Sequence, residues 1–102
     1  MSTDPPAPPV ITGYETGKVV KVGDTVILKC TSVGGNPPAT VIWYRDGKEI
    51  DLSYTVGAGK AFNDYQFEVE ASDNNIRYSC VAKNFVTENV MSAVVTMAVQ
   101  CE

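Results

Sequence analysis

Alternation of apolar and polar side chains is the main structural signal in this chain. Between residues 25 and 33, Val26, Leu28 and Cys30 fall on one face, and the residues between them fall on the other. Successive side chains of a strand point to opposite faces of a sheet, so this period of two predicts a half-buried β-strand.

Similar short segments recur along the rest of the chain. Further strands are predicted over residues 40–45, 64–71, 77–83 and 91–100, with edge candidates over 10–14, 18–22 and 53–56. Asp46-Gly47 is a hairpin signal leading into residues 48–50, whereas 34–39 has the composition of a loop and 57–60 that of a loose turn. No stretch has a helical apolar stripe. About seven short strands separated by turns predict an all-β sandwich of two antiparallel sheets.

Size and charge narrow the classes of function. A chain of 102 residues, 44% of them apolar, fits one domain with its own core. The net charge is −4 and the eight basic residues are scattered between positions 18 and 83, which argues against nucleic acid as a partner. No apolar stretch is long enough to span a bilayer, so no direct membrane contact is expected. The first residues do not resemble a signal peptide, and we interpret the sequence as a piece of a longer protein.

Four residues stand in an order that resembles the immunoglobulin superfamily. Cys30 and Cys80 lie fifty residues apart, Trp43 is between them, and Tyr78 comes two residues before the second cysteine. The resemblance implies a Cys30–Cys80 disulfide joining two sheets, with Trp43 packed on it and the Tyr78 hydroxyl holding a corner. Leu28 then faces the core beside Cys30. The short segment between the strands of Trp43 and residue 65 favours a constant-like or intermediate set of strands.

Two motifs are similar to those of nephrin-type adhesion receptors: GGNPPAT at residues 34–40 and DNNIRYSC at residues 73–80. This resemblance implies an extracellular module of a membrane-anchored receptor with tandem immunoglobulin domains. Its expected partners are another cell-surface protein of the immunoglobulin family and the neighbouring domains of its own chain. Whether the domain binds a partner or serves as a spacer between its neighbouring domains stays open. The alternative is a structural domain of an intracellular muscle or cytoskeletal array, where the two cysteines need not be bonded.

Residues suited to catalysis are scarce. The chain has no histidine, no glycine-rich phosphate loop and no C-x-x-C pair, so we expect no enzyme activity, metal or cofactor. Glu68 and Glu70 share a strand face that is expected to be solvated, and Asp73 is interpreted as a turn former.

The candidate functional surface is the outward face of the strand that carries Trp43. If Trp43 points inward, Ile42 and Tyr44 point outward, and Val81 and Val94 join them from neighbouring strands. An apolar patch with a tyrosine is typical of a binding site, although scattered exposed apolar residues are ordinary on any protein. A second hypothesis is pairing of an edge strand, near residue 11 or residue 54, with another chain.

The two ends of the sequence are expected to lie outside the domain, which we place at residues 10–100. Four prolines within residues 1–9 favour an extended linker or a remnant of the segment's boundary. Residues 101–102 are interpreted as boundary residues. Cys101 is the unpaired third cysteine, and an interchain disulfide, a bond to a neighbouring domain and a boundary effect all stay open.

Overall fold

The computed structural model describes residues 4–36, 38–84 and 91–100. These residues form eleven strands and one short 3₁₀ helix, Ala71–Asp73. The strands are β1 (Asp4–Pro6), β2 (Val10–Thr12), β3 (Val19–Lys21), β4 (Thr25–Asn36), β5 (Thr40–Arg45), β6 (Lys48–Asp51), β7 (Thr55–Gly57), β8 (Lys60–Glu68), β9 (Arg77–Lys83), β10 (Met91–Thr96) and β11 (Ala98–Gln100).

Two sheets pack face to face, as the alternation predicts. One has the order β1-β4-β8-β7, with β2 also paired to β4, and the other has the order β10-β9-β5-β6. Strand β11 follows β10 and pairs in parallel with β3. The all-β immunoglobulin-like sandwich is thereby confirmed, and β6 and β7 lie in the short segment between the strands of Trp43 and residue 65.

The core lies around a disulfide between the two sheets. Cys30 on β4 is bonded to Cys80 on β9, and their Cα atoms are 6.5 Å apart. Leu28 and Trp43 are fully buried beside them. The indole Nε1 of Trp43 donates a hydrogen bond of 2.8 Å to the carbonyl oxygen of Asn63 on β8, which ties the tryptophan to the opposite sheet. Cys30, Cys80 and Trp43 thus lie together between the two sheets.

The proline-rich segment lies along the domain over its described part. Strand β1 pairs with the end of β4, which continues to Asn36 where the sequence favours a loop. The hydroxyl of Ser32 donates a hydrogen bond of 2.9 Å to the carbonyl oxygen of Ala7. Pro6 is opposite Gly34, whereas Val10 is opposite Thr31, so the N-terminal side carries one extra residue as a bulge. Prolines are tolerated here because this is an outer edge, where an N–H group is dispensable.

The final strand is interrupted, although the sequence predicts one strand over residues 91–100. Met97 leaves the ladder with β9: its N–H donates to Ile76 O and its carbonyl accepts from Asn75 N, both at 2.9 Å. The backbone groups of Met97 are therefore hydrogen-bonded to the loop before β9. The strand resumes as β11, which pairs with β3.

A tight hairpin stands where the composition of residues 57–60 suggests a loose turn. Ala58 and Gly59 alone connect β7 to β8, and both have positive φ angles, 53° and 75°. Two such residues fit the right-handed twist of the flanking strands. Strand β8 accordingly begins at Lys60, earlier than the strand predicted over residues 64–71.

Candidate functional site

The candidate site is the outward face of β5, β9 and β10, which we call the binding face. Tyr44 on β5 is opposite Ser79 on β9, and Ser79 is opposite Val94 on β10, so these three form one row across the sheet. Ile42 is opposite Val81 in the next row. The structure therefore brings Ile42, Tyr44 and Val81 onto one surface, at the positions that strand parity gives them once Trp43 points inward.

A depression of about 390 Å³ lies in this face. Its floor is formed where the small side chain of Ser79 separates the larger Tyr44 and Val94. The lining residues are Tyr44, Asp46, Gly47, Arg77, Ser79, Val81, Ser92 and Val94. Ile42 is on the same face outside the depression. Strand parity predicts which way these residues point, but the hollow depends on the small residues Ser79 and Ser92 on two adjacent strands, which the alternation does not reveal.

On the inner side of the same sheet, where β5 ends, the side chains of Arg45, Asp73 and Tyr78 form a hydrogen-bonded corner. The Tyr78 hydroxyl donates to Oδ1 of Asp73 at 2.7 Å, and Arg45 Nη2 approaches the same oxygen at 3.2 Å. The backbone N–H of Glu70 donates to the other carboxylate oxygen at 2.8 Å. The Tyr78 hydroxyl thus joins the start of β9 to the loop before it, through the carboxylate of Asp73. Arg45 is not among the residues that the sequence indicates, because its place opposite Tyr78 depends on the register between β5 and β9.

The protonation states of this corner are fixed at neutral pH. Burial and the hydrogen bond to Asp73 raise the pKa of Tyr78 far above its usual value. Burial acts to raise the pKa of Asp73, but hydrogen bonds from Tyr78, the Glu70 backbone and Arg45 outweigh it and lower that pKa overall. Asp73 is therefore ionised and Tyr78 neutral, so the pair holds the loop in place and is unsuited to proton transfer near pH 7.

A buried asparagine is a second residue that the alternation does not reveal. Asn63 is 1% exposed and lies on the inner face of β8. Its Nδ2 group donates to the carbonyl oxygens of Val41 at 3.0 Å and Asp51 at 3.3 Å. With the bond from Trp43 to its own carbonyl, Asn63 joins β5, β6 and β8. The position is structural because its groups face the interior.

Comparison with known proteins identifies the fold family. A family model for the immunoglobulin domain matches residues 8–84. The chain belongs to this family. Rat nephrin is 33% identical over 99 residues, which cover 93% of this chain and 8% of nephrin. The chain thus spans a small part of this relative, a cell-surface adhesion receptor.

Solved immunoglobulin structures match the whole sandwich. The crystal structure of Rst D1-D2 superposes with a TM-score of 0.83 at 24% identity, covering 96% of this chain and 51% of that one. A chimeric titin Z1Z2 superposes with a TM-score of 0.65 at 27% identity, covering 95% of this chain and 99% of that one. Both structures share the immunoglobulin fold with this chain, and the fold by itself does not decide the function.

Two further features bear on function within the described residues. These ranges contain no helix that is long and apolar enough to cross a membrane. In the same ranges, no three histidine, cysteine or acidic side chains are grouped so that they could hold a metal ion. Cys101 lies outside the described residues.

Proposed function

We propose that this domain is an extracellular module of a cell-surface adhesion receptor and that it binds another immunoglobulin-family receptor through the binding face. The observation that carries the proposal is the depression beside Tyr44, on the face that also holds Ile42 and Val81. The similarity to nephrin along 93% of the chain supports the class of protein. The proposed activity is non-enzymatic.

The chemistry of the binding face suits a protein partner. Tyr44, Val81 and Val94 offer apolar contact area, and the tyrosine adds a polar group at its tip. Arg77 and Asp46 line the same depression with opposite charges. An apolar side chain from the partner would fill the hollow while polar groups around it bond to these two residues, an arrangement common to protein interfaces.

Tyr44→Arg tests the proposal. The domain, linked into tetramers and labelled, is applied to cells that each display one immunoglobulin-family ectodomain, nephrin among them. A partner bound by the unchanged domain should bind the variant at least about tenfold more weakly, because a charge replaces a contact at the centre of the face. The matched control is Ile27→Arg, since Ile27 is 40% exposed on the opposite sheet.

The two variants also define what contradicts the proposal. Equal binding by Tyr44→Arg and the unchanged domain would place the interface elsewhere. If no displayed ectodomain is bound by the unchanged domain, the domain acts as a spacer in a tandem array. Thermal unfolding of both variants should stay close to that of the unchanged domain, because both side chains point outward from the core.

The second candidate is a structural domain of an intracellular muscle array. The 27% identity to titin Z1Z2 favours it. The oxidation state of Cys30 and Cys80 separates the candidates, because disulfides persist in the extracellular space and are rare in the cytosol. With Cys101 first alkylated, the mass of the purified domain should rise by about two daltons on reduction if the pair is bonded in an extracellular module.

A further inference from the structure

The outward residues of β5 and β9 form three pairs across the ladder, in consecutive outward rows of the binding face. The pairs are Ile42 with Val81, Tyr44 with Ser79, and Asp46 with Arg77. The first two follow from the register, and the third continues it, since the N–H of Asp46 donates to the carbonyl oxygen of Arg77 at 2.7 Å. Each pair joins complementary members: apolar with apolar, large with small, and acidic with basic.

The charged pair has no ionic partner within its own chain. Asp46 and Arg77 are both exposed, and both line the depression beside Tyr44. In the part of the chain that the structure describes, the only salt bridge joins Arg45 to Asp73, at 3.2 Å. The carboxylate of Asp46 and the guanidinium of Arg77 are therefore free to pair with charged groups of another molecule.

The pairs across the ladder make the binding face complementary to itself. A two-fold axis just outside this face, between β5 and β9 and parallel to both, places a second copy face to face with the first. Strand β5 of each copy then lies over β9 of the other, so each outward residue meets the residue that is opposite to it in its own sheet. Face-to-face packing with nearly aligned strands is the ordinary packing of two sheets.

We infer that the partner of the binding face is a second copy of this chain, joined about this axis; the inference rests on the proposed function and names the partner of the same site. The ring of each Tyr44 fills the depression above Ser79 of the other copy. Each Asp46 forms an ion pair with Arg77 of the other copy. The contact is closed, because both copies use the same surface.

A two-fold axis perpendicular to the strands gives a poorer match. If it passes through the row of Tyr44 and Ser79, each of these residues meets its own copy, and the small serines leave the depression unfilled. The row of charges then lies over the apolar row of the other copy, where the charges lose water without gaining a partner. The pairing thus favours two copies that point in the same direction, the orientation of receptors anchored side by side in one membrane.

Sedimentation equilibrium tests the pairing, with Cys101→Ser in every sample to exclude intermolecular disulfides. From micromolar to millimolar concentration, the average mass should rise from 11.0 kDa towards twice that value. Asp46→Arg and Arg77→Glu, each alone, should weaken self-association at least about tenfold, because each variant brings like charges together twice in the dimer. The matched controls are Glu68→Arg and Lys60→Glu, charge reversals at exposed positions of the other sheet, which should leave the mass unchanged.

A mixture of the two charge variants gives a sharper result. One copy then carries two basic residues at these positions and the other carries two acidic residues, so both ion pairs form between unlike copies. An equimolar mixture of Asp46→Arg and Arg77→Glu should therefore regain the mass of a dimer, although neither variant does so alone. Copies joined about the perpendicular axis would show no such recovery, because the reversed charges do not meet there.

Amide resonances provide a readout that needs no charge variant. When the chain with only Cys101→Ser is concentrated, shifts should centre on the outward residues of β5, β9 and β10. Shifts centred on the other sheet would overturn the inference, as would a chain that stays monomeric at millimolar concentration or a mixture that does not regain the dimer.

Tyr44→Arg separates the failure of this inference from that of the proposed function. Self-association that survives this substitution places the contact between copies elsewhere and overturns the inference. If the chain is monomeric but Tyr44→Arg abolishes its binding to a displayed ectodomain of a different protein, the proposed function stands and the inference is overturned. Equal binding of that ectodomain by Tyr44→Arg contradicts the proposed function itself.

Discussion

The hydroxyl of Tyr78 donates a hydrogen bond of 2.7 Å to Oδ1 of Asp73. Asp73 is 4% exposed and ends the 3₁₀ helix, whereas Tyr78 lies at the start of β9, so the bond fixes the loop between them. Arg45 reaches the same oxygen from β5. A buried carboxylate needs such partners, because removing an ionised group from water without them costs several kcal/mol.

Tyr78→Phe should destabilise the domain by about 2 kcal/mol, the range for a hydrogen bond to a charged group. The ring still packs beside Phe67, whose centroid is 5.0 Å away, so the loss reports the hydroxyl. Urea unfolding measures it. The control is Tyr54→Phe, at an exposed tyrosine, for which a change within about 0.5 kcal/mol is expected. Equal losses in the two variants would show that the bond to Asp73 adds nothing specific.

Acid should remove the contribution of Asp73. Its pKa in the folded state is lowered, so the unfolded state binds a proton first as the pH falls. The stabilisation is fully present above about pH 5, and it declines as the pH passes the unfolded value of about 3.9 and then the lower folded value. The difference in unfolding free energy between the unchanged domain and Asp73→Asn should therefore shrink between pH 5 and pH 2.

Urea unfolding at a series of pH values measures this difference. Glu68→Gln removes one exposed carboxylate and controls for the change in net charge. A difference between the unchanged domain and Asp73→Asn that stays constant with pH would contradict an ionised, hydrogen-bonded Asp73 in the folded state.

Much of the core could be predicted because it follows the period of two. Val26, Leu28 and Cys30 are buried, and Ile27 and Lys29 are exposed, as the alternation requires. Other features depend on partners distant in sequence. Met97 leaves the ladder with β9 because its backbone N–H and C=O groups form hydrogen bonds with the loop before β9. Asn63 can be buried because the carbonyl oxygens of Val41 and Asp51 accept hydrogen bonds from its side chain. The alternation of residues near Met97 and Asn63 in the sequence does not predict these distant hydrogen-bond partners.

The candidate site also has features that the sequence predicts and features that depend on distant parts of the chain. The direction of Tyr44 and Val81 follows from Trp43 and Cys80 by parity alone. The depth of the hollow depends on which side chain of β9 meets Tyr44 across the sheet, and that requires the register between β5 and β9. The position of Arg45 against Asp73 is also a matter of register and of the path of the loop.

Removal of the disulfide by Cys30→Ala with Cys80→Ala should destabilise the domain by about 4 kcal/mol, the chain-entropy value for a closed loop of this length. Both side chains are fully buried, so the replacement also leaves small unfilled volumes beside Trp43. Unfolding in guanidinium chloride measures the loss. Reduction of the unchanged domain is the control, since it opens the same loop without loss of side-chain volume. A loss below about 1 kcal/mol would contradict the disulfide as a main source of stability.

Gly13 lies between β2 and β3, where the chain passes from its pairing with β4 to its pairing with β11. Its φ angle is +93°, and a Cβ atom there would lie 2.1 Å from the carbonyl oxygen of Ile27. Gly17 also has a positive φ angle, +89°, but a Cβ atom there would have no neighbour within 4 Å. The two glycines thus share a backbone requirement and differ in available space.

Gly13→Ala should destabilise the domain by about 3 kcal/mol, whereas Gly17→Ala should cost about 1 kcal/mol, the conformational penalty alone. Urea unfolding measures the free energy of unfolding of the two variants. The difference between their losses reports the steric clash of the added methyl group with β4. Hydrogen exchange gives a local readout, because the N–H of Ala98 donates to the hydroxyl of the neighbouring Tyr14 at 3.0 Å. Exchange at Ala98 should become faster in Gly13→Ala. Equal costs for the two substitutions would show that the crossing has room for a methyl group.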